Sequence, residues 1–234
     1  MARLMVSHRI LDSGLLLLPP DRAPDHDWDD WRARSYFYHA RKEEFAELDL
    51  LTHNANKAYA IAVSEWIEAW LSPYTSNHSL RHYIEASWAA LLDRDNSQYF
   101  QIDEDEWRGP VLGPTVICIG ILNEIFFESY DEHRMAFRSC YALNLARHLM
   151  RNESLPGSAF GIWRSKVEAR LQLHHSWVAE GKPEPSLLEH TFPQGRLVSR
   201  EAFDLSQAYD PNEAQRQLEA YAARIPDGNP FHNG

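Results

Sequence analysis

The sequence predicts an all-α protein, a single irregular multi-helix domain of about seven to nine helices with little or no β structure. Apolar residues recur at steps of three and four along most of the chain, which is the period of an amphipathic helix. Strand candidates are confined to two short stretches, residues 110–113 and 195–198. The chain has no fixed-period repeat, so a regular solenoid is not expected. We therefore treat residues 1–234 as one helical domain.

The strongest helical patterns lie in the middle of the chain. Residues 55–70 form one apolar stripe that stops before Pro73, and residues 80–92 repeat the pattern after a polar turn. A long helical segment is predicted over residues 115–150. Its end is marked by basic residues, which suit the negative end of a helix dipole, and then by Pro156-Gly157.

The two ends of the chain hold shorter candidates. Residues 3–11 and 28–48 show weaker helical patterns, and residues 160–178 form another amphipathic stripe. Residues 180–194 contain three prolines and are predicted to be a loop. A small C-terminal helical extension is expected over residues 199–225.

The charge balance excludes several classes of protein. The net charge of −11 argues against a nucleic-acid binder, because phosphate contacts need a basic surface. A hydrophobic content of 44% excludes a disordered chain. The most apolar run, residues 111–122, is about 12 residues long, whereas a membrane span needs about 20. We therefore expect no nucleic-acid partner and no membrane association.

The cysteines and the N-terminus predict a cytoplasmic protein. Cys118 and Cys140 lie in apolar surroundings, and on one continuous helix they would be about 33 Å apart, too far for a disulfide. Buried free thiols suit a reducing compartment. The apolar stretch near the N-terminus is broken by Asp12 and by Pro19, so it does not resemble a signal peptide.

The pattern closest to a metal site is formed by His78, His82 and Glu85. Steps of four and three place these side chains on one face of a helix, where they would form a His/His/carboxylate set. His78, however, stands at or before the predicted helix start, which favours a solvated or capping role. We predict no metal and no other cofactor.

A second acidic strip falls on the predicted long helix, at Glu124, Glu128, Asp131 and Glu132. Helical carboxylate metal sites place a histidine three residues after a glutamate, and neither Glu124 nor Glu128 has one. A solvent-facing strip paired with Arg134 and Arg138 is the preferred interpretation.

The adjacent histidines His174 and His175 invite a catalytic interpretation. Neighbouring residues on a helix point about 100° apart, so only one of the two can join the apolar stripe. We assign His174 to that stripe as a core or interface histidine. The sequence has no nucleophile elbow, phosphate-binding loop or paired Cys-x-x-Cys motif.

Two clusters combine tryptophan with acidic residues. The first comprises Asp27, Trp28, Asp30 and Trp31, and the second comprises Asp103, Glu104, Asp105, Glu106 and Trp107. An aromatic anchor among carboxylates is typical of a surface that binds a basic protein. Alternatively, each tryptophan packs in the core at a helix end and the acidic residues favour the helix dipole.

These observations predict an acidic, non-enzymatic protein that masks a basic surface or active site of a partner, as an inhibitor or a toxin-neutralising immunity protein does. The alternative is a helical metal-dependent hydrolase or oxidase that uses His78, His82 and Glu85 or the strip 124–132. A scaffold or regulatory subunit is a third possibility.

Segments 1–50, 101–150 and 201–234 carry most of the negative charge, while the remainder is close to neutral.

Overall fold

The computed structural model describes residues 24–102, 106–127, 134–151, 157–181 and 193–233. Within these ranges the chain forms nine α-helices and five 3-10 helices, and it forms no strand. Two isolated bridges, Leu51 to Ser176 and Ser97 to His232, are the β-type contacts of the described residues. The prediction of an all-α domain is confirmed.

The α-helices, in chain order, are α1 (Ala33–Phe37), α2 (Lys42–Leu48), α3 (His53–Leu71), α4 (Ser79–Ala90), α5 (Gly109–Phe127), α6 (Arg134–Leu149), α7 (Ala159–His175), α8 (Trp177–Glu180) and α9 (Ala214–Ala222). The 3-10 helices are Asp30–Arg32, Ser72–Tyr74, Arg94–Asn96, Arg200–Phe203 and Pro211–Glu213. The predicted helix over residues 28–48 is therefore three short pieces. Residues 3–11 and 182–192 lie outside the described residues.

Helix α3 is the centre of the fold. Seventeen of its 19 residues are buried, so it is enclosed on every side rather than along one stripe. Helices α4, α5, α6 and α7 all pack against it. Its alanines let these neighbours approach closely, and its large residues Tyr59, Ile61 and Ile67 are fully buried.

The N-terminus of α3 is held by its own cap and by a distant loop. Thr52 is the N-cap, and its hydroxyl accepts a hydrogen bond from the amide of Ala55. The amide of Asn54 donates to the Gln194 carbonyl at 2.8 Å. Gly195 has a φ of +78°, and a Cβ there would lie 2.6 Å from Cγ2 of Thr52. Only glycine satisfies both the backbone angle and the close approach.

The predicted helix over residues 115–150 is wrong in its continuity. The structure has two helices, α5 and α6, which pack against each other. Between them the sequence 128–133 is polar, with three acidic residues and a histidine, so the apolar period is interrupted there. The first of the two helices also begins six residues earlier than predicted, at Gly109.

Helix α5 is the one helix of the described residues with the length and apolar composition to cross a membrane. Its mean hydropathy is 1.7. It is long enough because the helix extends beyond both ends of the apolar run at residues 111–122. Of that apolar window, 56% is buried inside the structure. Cys118 on α5 and Cys140 on α6 are both free and buried, and burial raises the pKa of each thiol to about 12.

The C-terminal extension packs on the same core as the rest of the chain. Val198, Ala202, Phe203 and Leu218 belong to the cluster of buried residues that includes α3. Helix α9 packs against α4, and Trp163 of α7 donates its indole N–H to the Phe203 carbonyl at 3.1 Å. Residues 199–225 are thus joined to the main core.

An ion network around the buried Glu44 ties α2, α6 and α7 together. Glu44 accepts hydrogen bonds from Arg147 at 2.6 Å and from Arg164 at 3.0 Å. Arg164 also pairs with Glu168, which accepts a hydrogen bond from the Tyr59 hydroxyl of α3 at 2.6 Å. Burial raises the pKa of Glu44, but the hydrogen bond and charge of Arg147 and the charge of Arg164 outweigh it, so the pKa lies below its ordinary value.

We expect Glu44→Gln to lower the free energy of unfolding by about 2 kcal/mol at pH 7, because it removes the buried carboxylate that pairs with the half-buried Arg147 and Arg164. Since the pKa of Glu44 is lowered in the folded state, its stabilisation is present above the ordinary value of 4.5 and is lost as the pH falls through the folded value. Urea unfolding should therefore show that the difference in free energy of unfolding between wild type and Glu44→Gln becomes smaller as the pH falls.

The matched control is Glu213→Gln, because Glu213 pairs with Arg216 in an exposed contact at 2.6 Å. That change should cost less than about 0.5 kcal/mol at any pH. A difference between wild type and Glu44→Gln that stays constant down to about pH 3 would contradict the assigned role of the carboxylate.

Candidate functional site

The indole of Trp28 lies in a notch on the first turns of α5. A Cβ at Gly113 would come within 2.7 Å of Cε2 of Trp28 and 2.9 Å of Oδ1 of Asp30, so the absence of a side chain makes room for both. Gly109 lies one turn earlier, and glycines four residues apart share a helix face. The indole N–H donates to Oδ1 of Asp30 at 2.7 Å.

Asp30 joins the two predicted acidic clusters. Its two carboxylate oxygens each accept a hydrogen bond from the amide of Gly109 at 3.1 Å. A carboxylate in this position satisfies a free amide at the N-terminus of α5 and suits the positive end of the helix dipole. Because Gly109 follows Glu106 and Trp107 closely, segments 79 residues apart in sequence become neighbours.

His26 fills a gap in the hydrogen bonding of α5. Pro114 lies inside this helix and has no N–H, so the carbonyl of Pro110, four residues earlier, has no donor within the helix. His26 Nε2 donates to that carbonyl at 2.8 Å. The histidine therefore attaches the segment that carries Trp28 to a break in the helix ladder.

A second histidine holds the same segment from α6. His148 Nε2 donates to the Asp27 carbonyl at 2.7 Å, and its ring stacks on Tyr36 at 4.1 Å. The Asp27 carboxylate pairs with Arg151 at 3.0 Å. Burial is the largest cause that lowers the pKa of both His26 and His148, and the charge of Arg151 lowers both further.

Trp31 differs sharply from Trp28. Its side chain is 91% exposed, the highest value among the large hydrophobic residues of the described chain. It lies in the 3-10 turn Asp30–Arg32, whose N-cap Asp29 accepts a hydrogen bond from the Trp31 amide at 3.0 Å. Asp25, Asp27 and Asp29 beside it are exposed. We call residues 25–31 together with Glu106 the acidic tryptophan surface.

The described residues of the second predicted cluster differ in exposure. Glu106 is exposed, while Trp107 is half-buried and packs edge-on against Phe100 with ring centroids 5.7 Å apart. Asp103, Glu104 and Asp105 lie outside the described residues. Of the two tryptophans in the first cluster and the one in the second, the structure therefore exposes Trp31 alone.

The predicted His/His/carboxylate set does not converge. His78 is exposed before the first residue of α4, and its ring centroid is 6.4 Å from that of His82. Glu85 accepts a hydrogen bond from Asn229 at 3.1 Å, and burial raises its pKa. Burial, with the charges of His78 and Arg81, lowers the pKa of His82. Nowhere in the described ranges do three His, Cys, Asp or Glu side chains stand in positions to share a metal ion.

The acidic strip on the predicted long helix is described only at its first member. Glu124 pairs with Arg138 at 2.6 Å, in a contact that joins α5 to α6. The prediction offered this arginine as a partner within one helix, and the structure places it on the next one. Glu128, Asp131 and Glu132 lie outside the described residues.

A hydrogen-bonded chain that the sequence did not reveal connects Glu180, His175 and Tyr209. His175 Nδ1 donates to Glu180 at 2.9 Å, and Nε2 accepts from the Tyr209 hydroxyl at 2.7 Å. The assignment of His174 to the buried stripe is wrong: His175, four residues after Leu171, is the one with 0% exposure. Burial raises the pKa of Tyr209, so its hydroxyl stays protonated and can donate to His175.

We expect Gly113→Ala to destabilise the protein by about 1–3 kcal/mol, because the added methyl group displaces the Trp28 indole and breaks its bond to Asp30. Gly120→Ala in the same helix is the matched control, since its Cβ would meet Ile102 at an ordinary 3.8 Å. That control should stabilise by up to about 1 kcal/mol through helix propensity. Urea unfolding of both variants measures the sign of each change in the free energy of unfolding. Equal changes at the two positions would contradict the close packing of Trp28 against Gly113.

Acid should loosen the acidic tryptophan surface before it loosens the rest of α5. The pKa values of His26 and His148 are lowered from 6.5 in the folded state, so the stability is complete above that value and is lost as the pH falls below it. We expect the protection factor of the Gly109 amide, relative to that of Ile119, to fall between about pH 7.5 and 5.5. Hydrogen exchange followed by NMR tests this, and a constant ratio would contradict it.

Comparison of the chain with models of protein families, with curated proteins and with solved structures finds no match in any of the three. The acidic tryptophan surface therefore carries no residue roles transferred from a relative. Its assignment rests on the exposure, hydrogen bonding and charge of this chain.

Proposed function

We propose that this protein binds a basic protein partner through the acidic tryptophan surface and inhibits it, as an immunity protein inhibits a toxin. The observation that carries the proposal is the 91% exposure of Trp31 on a segment that is otherwise fixed to the body of the protein. Tryptophan is among the residues most enriched at the centres of protein interfaces, because one ring supplies a large contact area.

The surroundings of Trp31 supply the preorganisation that tight binding needs. Trp28 in the glycine notch, Asp30 at the Gly109 amide and His26 at the Pro110 carbonyl hold the segment on α5. Asp29 caps the turn that carries Trp31. A segment that is already ordered loses less conformational entropy when a partner binds, so more of the contact energy appears as affinity.

The charge of the surface specifies the chemistry of the partner. Asp25, Asp27 and Glu106 are exposed, and the whole chain carries a net charge of −11. A negative patch attracts a positive one, which accelerates association and makes it sensitive to salt. A lysine- or arginine-rich surface or active site is therefore the favoured target.

The decisive variant is Trp31→Ala. A tagged wild-type chain retrieves the partner from cells of its source at low salt, and calorimetry then measures the dissociation constant. Loss of the tryptophan should weaken binding at least about 30-fold, which corresponds to about 2 kcal/mol. Tyr99→Ala, which removes another half-exposed aromatic ring, is the matched control and should leave the affinity unchanged.

Charge reversal tests the electrostatic part separately. Asp25→Lys combined with Glu106→Lys leaves the contacts of Asp27, Asp29 and Asp30 intact, so the segment stays in place. We expect the association rate to fall and its salt dependence to flatten. Full affinity of Trp31→Ala, or a partner without a basic surface, would overturn the proposal. Loss of the partner's own activity in the complex distinguishes an inhibitor from a scaffold.

A further inference from the structure

Lys57 occupies an unusual position for a lysine. It is one of the two residues of the central helix α3 that are not fully buried, and its neighbours Asn56 and Ala58 are enclosed in the core. The other two lysines of the described residues, Lys42 and Lys166, are exposed. The side chain of Lys57 is therefore partly withdrawn from water, while those of Lys42 and Lys166 are solvated.

The amine of Lys57 has neutral neighbours. Nζ donates a hydrogen bond to Oε1 of Gln194 at 2.8 Å, and it lies 5.9 Å from the centroid of the Phe126 ring. Among the described residues no carboxylate pairs with it, although the chain as a whole is acidic. An ammonium group has three N–H donors, so one amide oxygen and one aromatic face replace only part of its hydration.

This environment favours the neutral amine, which is the nucleophilic form. Burial lowers the pKa of Lys57 to about 8. About a quarter of the Lys57 side chains are then neutral at pH 7.5, whereas a lysine with an ordinary pKa is almost entirely charged there. The amine also remains within reach of a reagent, because its partner Gln194 is exposed and their hydrogen bond lies at the surface.

We propose that Lys57 is a site of acylation, at which the amine attacks an activated acyl group such as a thioester or an acyl phosphate. The nitrogen lone pair forms a bond to the acyl carbon, and the carbon–sulfur or carbon–oxygen bond to the leaving group breaks. The thiolate or phosphate departs with the bonding electrons, and the nitrogen releases its proton to water. The product is a neutral amide, and nothing is oxidised or reduced.

The surroundings of the amine favour an amide over the other products that a lysine forms. An amide removes the poorly hydrated charge and retains one N–H, which can donate to Oε1 of Gln194. A carbamate made with carbon dioxide would introduce a negative charge, which neither Gln194 nor Phe126 compensates. A neutral imine made with an aldehyde would have no N–H for Gln194.

The acylation site is separate from the acidic tryptophan surface. Lys57 lies on α3 and Gln194 precedes the 3-10 helix Arg200–Phe203, whereas Trp31 precedes α1. The two proposals therefore stand or fall independently.

Acetylation of the full chain, followed by mass spectrometry of its peptides, tests the proposal. Acetyl phosphate and acetyl coenzyme A are used in separate arms, and the faster reagent identifies the leaving group. We expect Lys57 to react at least about fivefold faster than Lys42 and Lys166 at pH 7.5. Its rate should level off above about pH 9, while the rates of the two exposed lysines continue to rise.

The variant Gln194→Glu tests the role of the neutral partner. It places a carboxylate beside the amine, which favours the charged form and should slow acetylation of Lys57 at pH 7.5 at least about tenfold. The Gln194 backbone carbonyl still accepts from the Asn54 amide, so the loop stays in place. Gln172→Glu, at an exposed residue of α7, makes the same change in net charge and should leave the rate unaltered.

Two results would overturn the proposed site. One is acetylation of Lys57 that is no faster than that of Lys42 and Lys166 with both reagents. The other is a Lys57 rate that Gln194→Glu leaves unchanged, or lowers no more than Gln172→Glu does.

Discussion

The enclosure of α3 is the constraint on which the rest of the structure depends. In a helix buried on all sides, each polar side chain that stays unpaired costs the free energy of its lost hydration, so paired partners are stabilising. Glu65 accepts hydrogen bonds from Trp88 and Arg200, at 2.9 and 2.6 Å, and Glu68 accepts from Arg81 at 2.7 Å. These contacts fix α4 and the C-terminal segment around the central helix. The core is thus specified by paired polar groups as well as by apolar packing.

The two tryptophans of the acidic tryptophan surface have different environments. Trp28 and Asp30 are committed to the protein itself, in the glycine notch and at the amide of Gly109. Trp31, three residues after Trp28, remains exposed. The packing interpretation of such a cluster therefore holds for Trp28 and Asp30, while binding through Trp31 is our proposal.

Local periodicity predicted the helices well, and contacts between distant segments were beyond its reach. The stripes of residues 55–70 and 80–92 correspond to α3 and α4, because an apolar period requires only the residues within it. The break between α5 and α6 was missed because apolar residues resume after it. The choice between His174 and His175 depends on whether the helix continues its stripe by three or four residues, which both fit the period.

The sequence was sufficient to predict which residue types form the candidate site, but not how those residues are arranged in space. The sequence shows that Asp30 is acidic and that Gly109 and Gly113 are a turn apart if they lie on a helix, but Pro110 and Pro114 argue against a helix there. The structure resolves this conflict through His26, which donates to the carbonyl that Pro114 leaves without a donor. No local rule connects residue 26 to residue 110.

The bond from His26 to the Pro110 carbonyl couples the docking of one segment to the helical state of another. Residue 110 lies one turn before residue 114, and residue 109 one turn before residue 113, only where α5 is helical. Docking of the segment that carries Trp31 therefore requires this end of α5 to be helical. A partner that recognises the docked segment discriminates folded from unfolded chains, and its binding energy is coupled to the integrity of a helix that it does not need to touch.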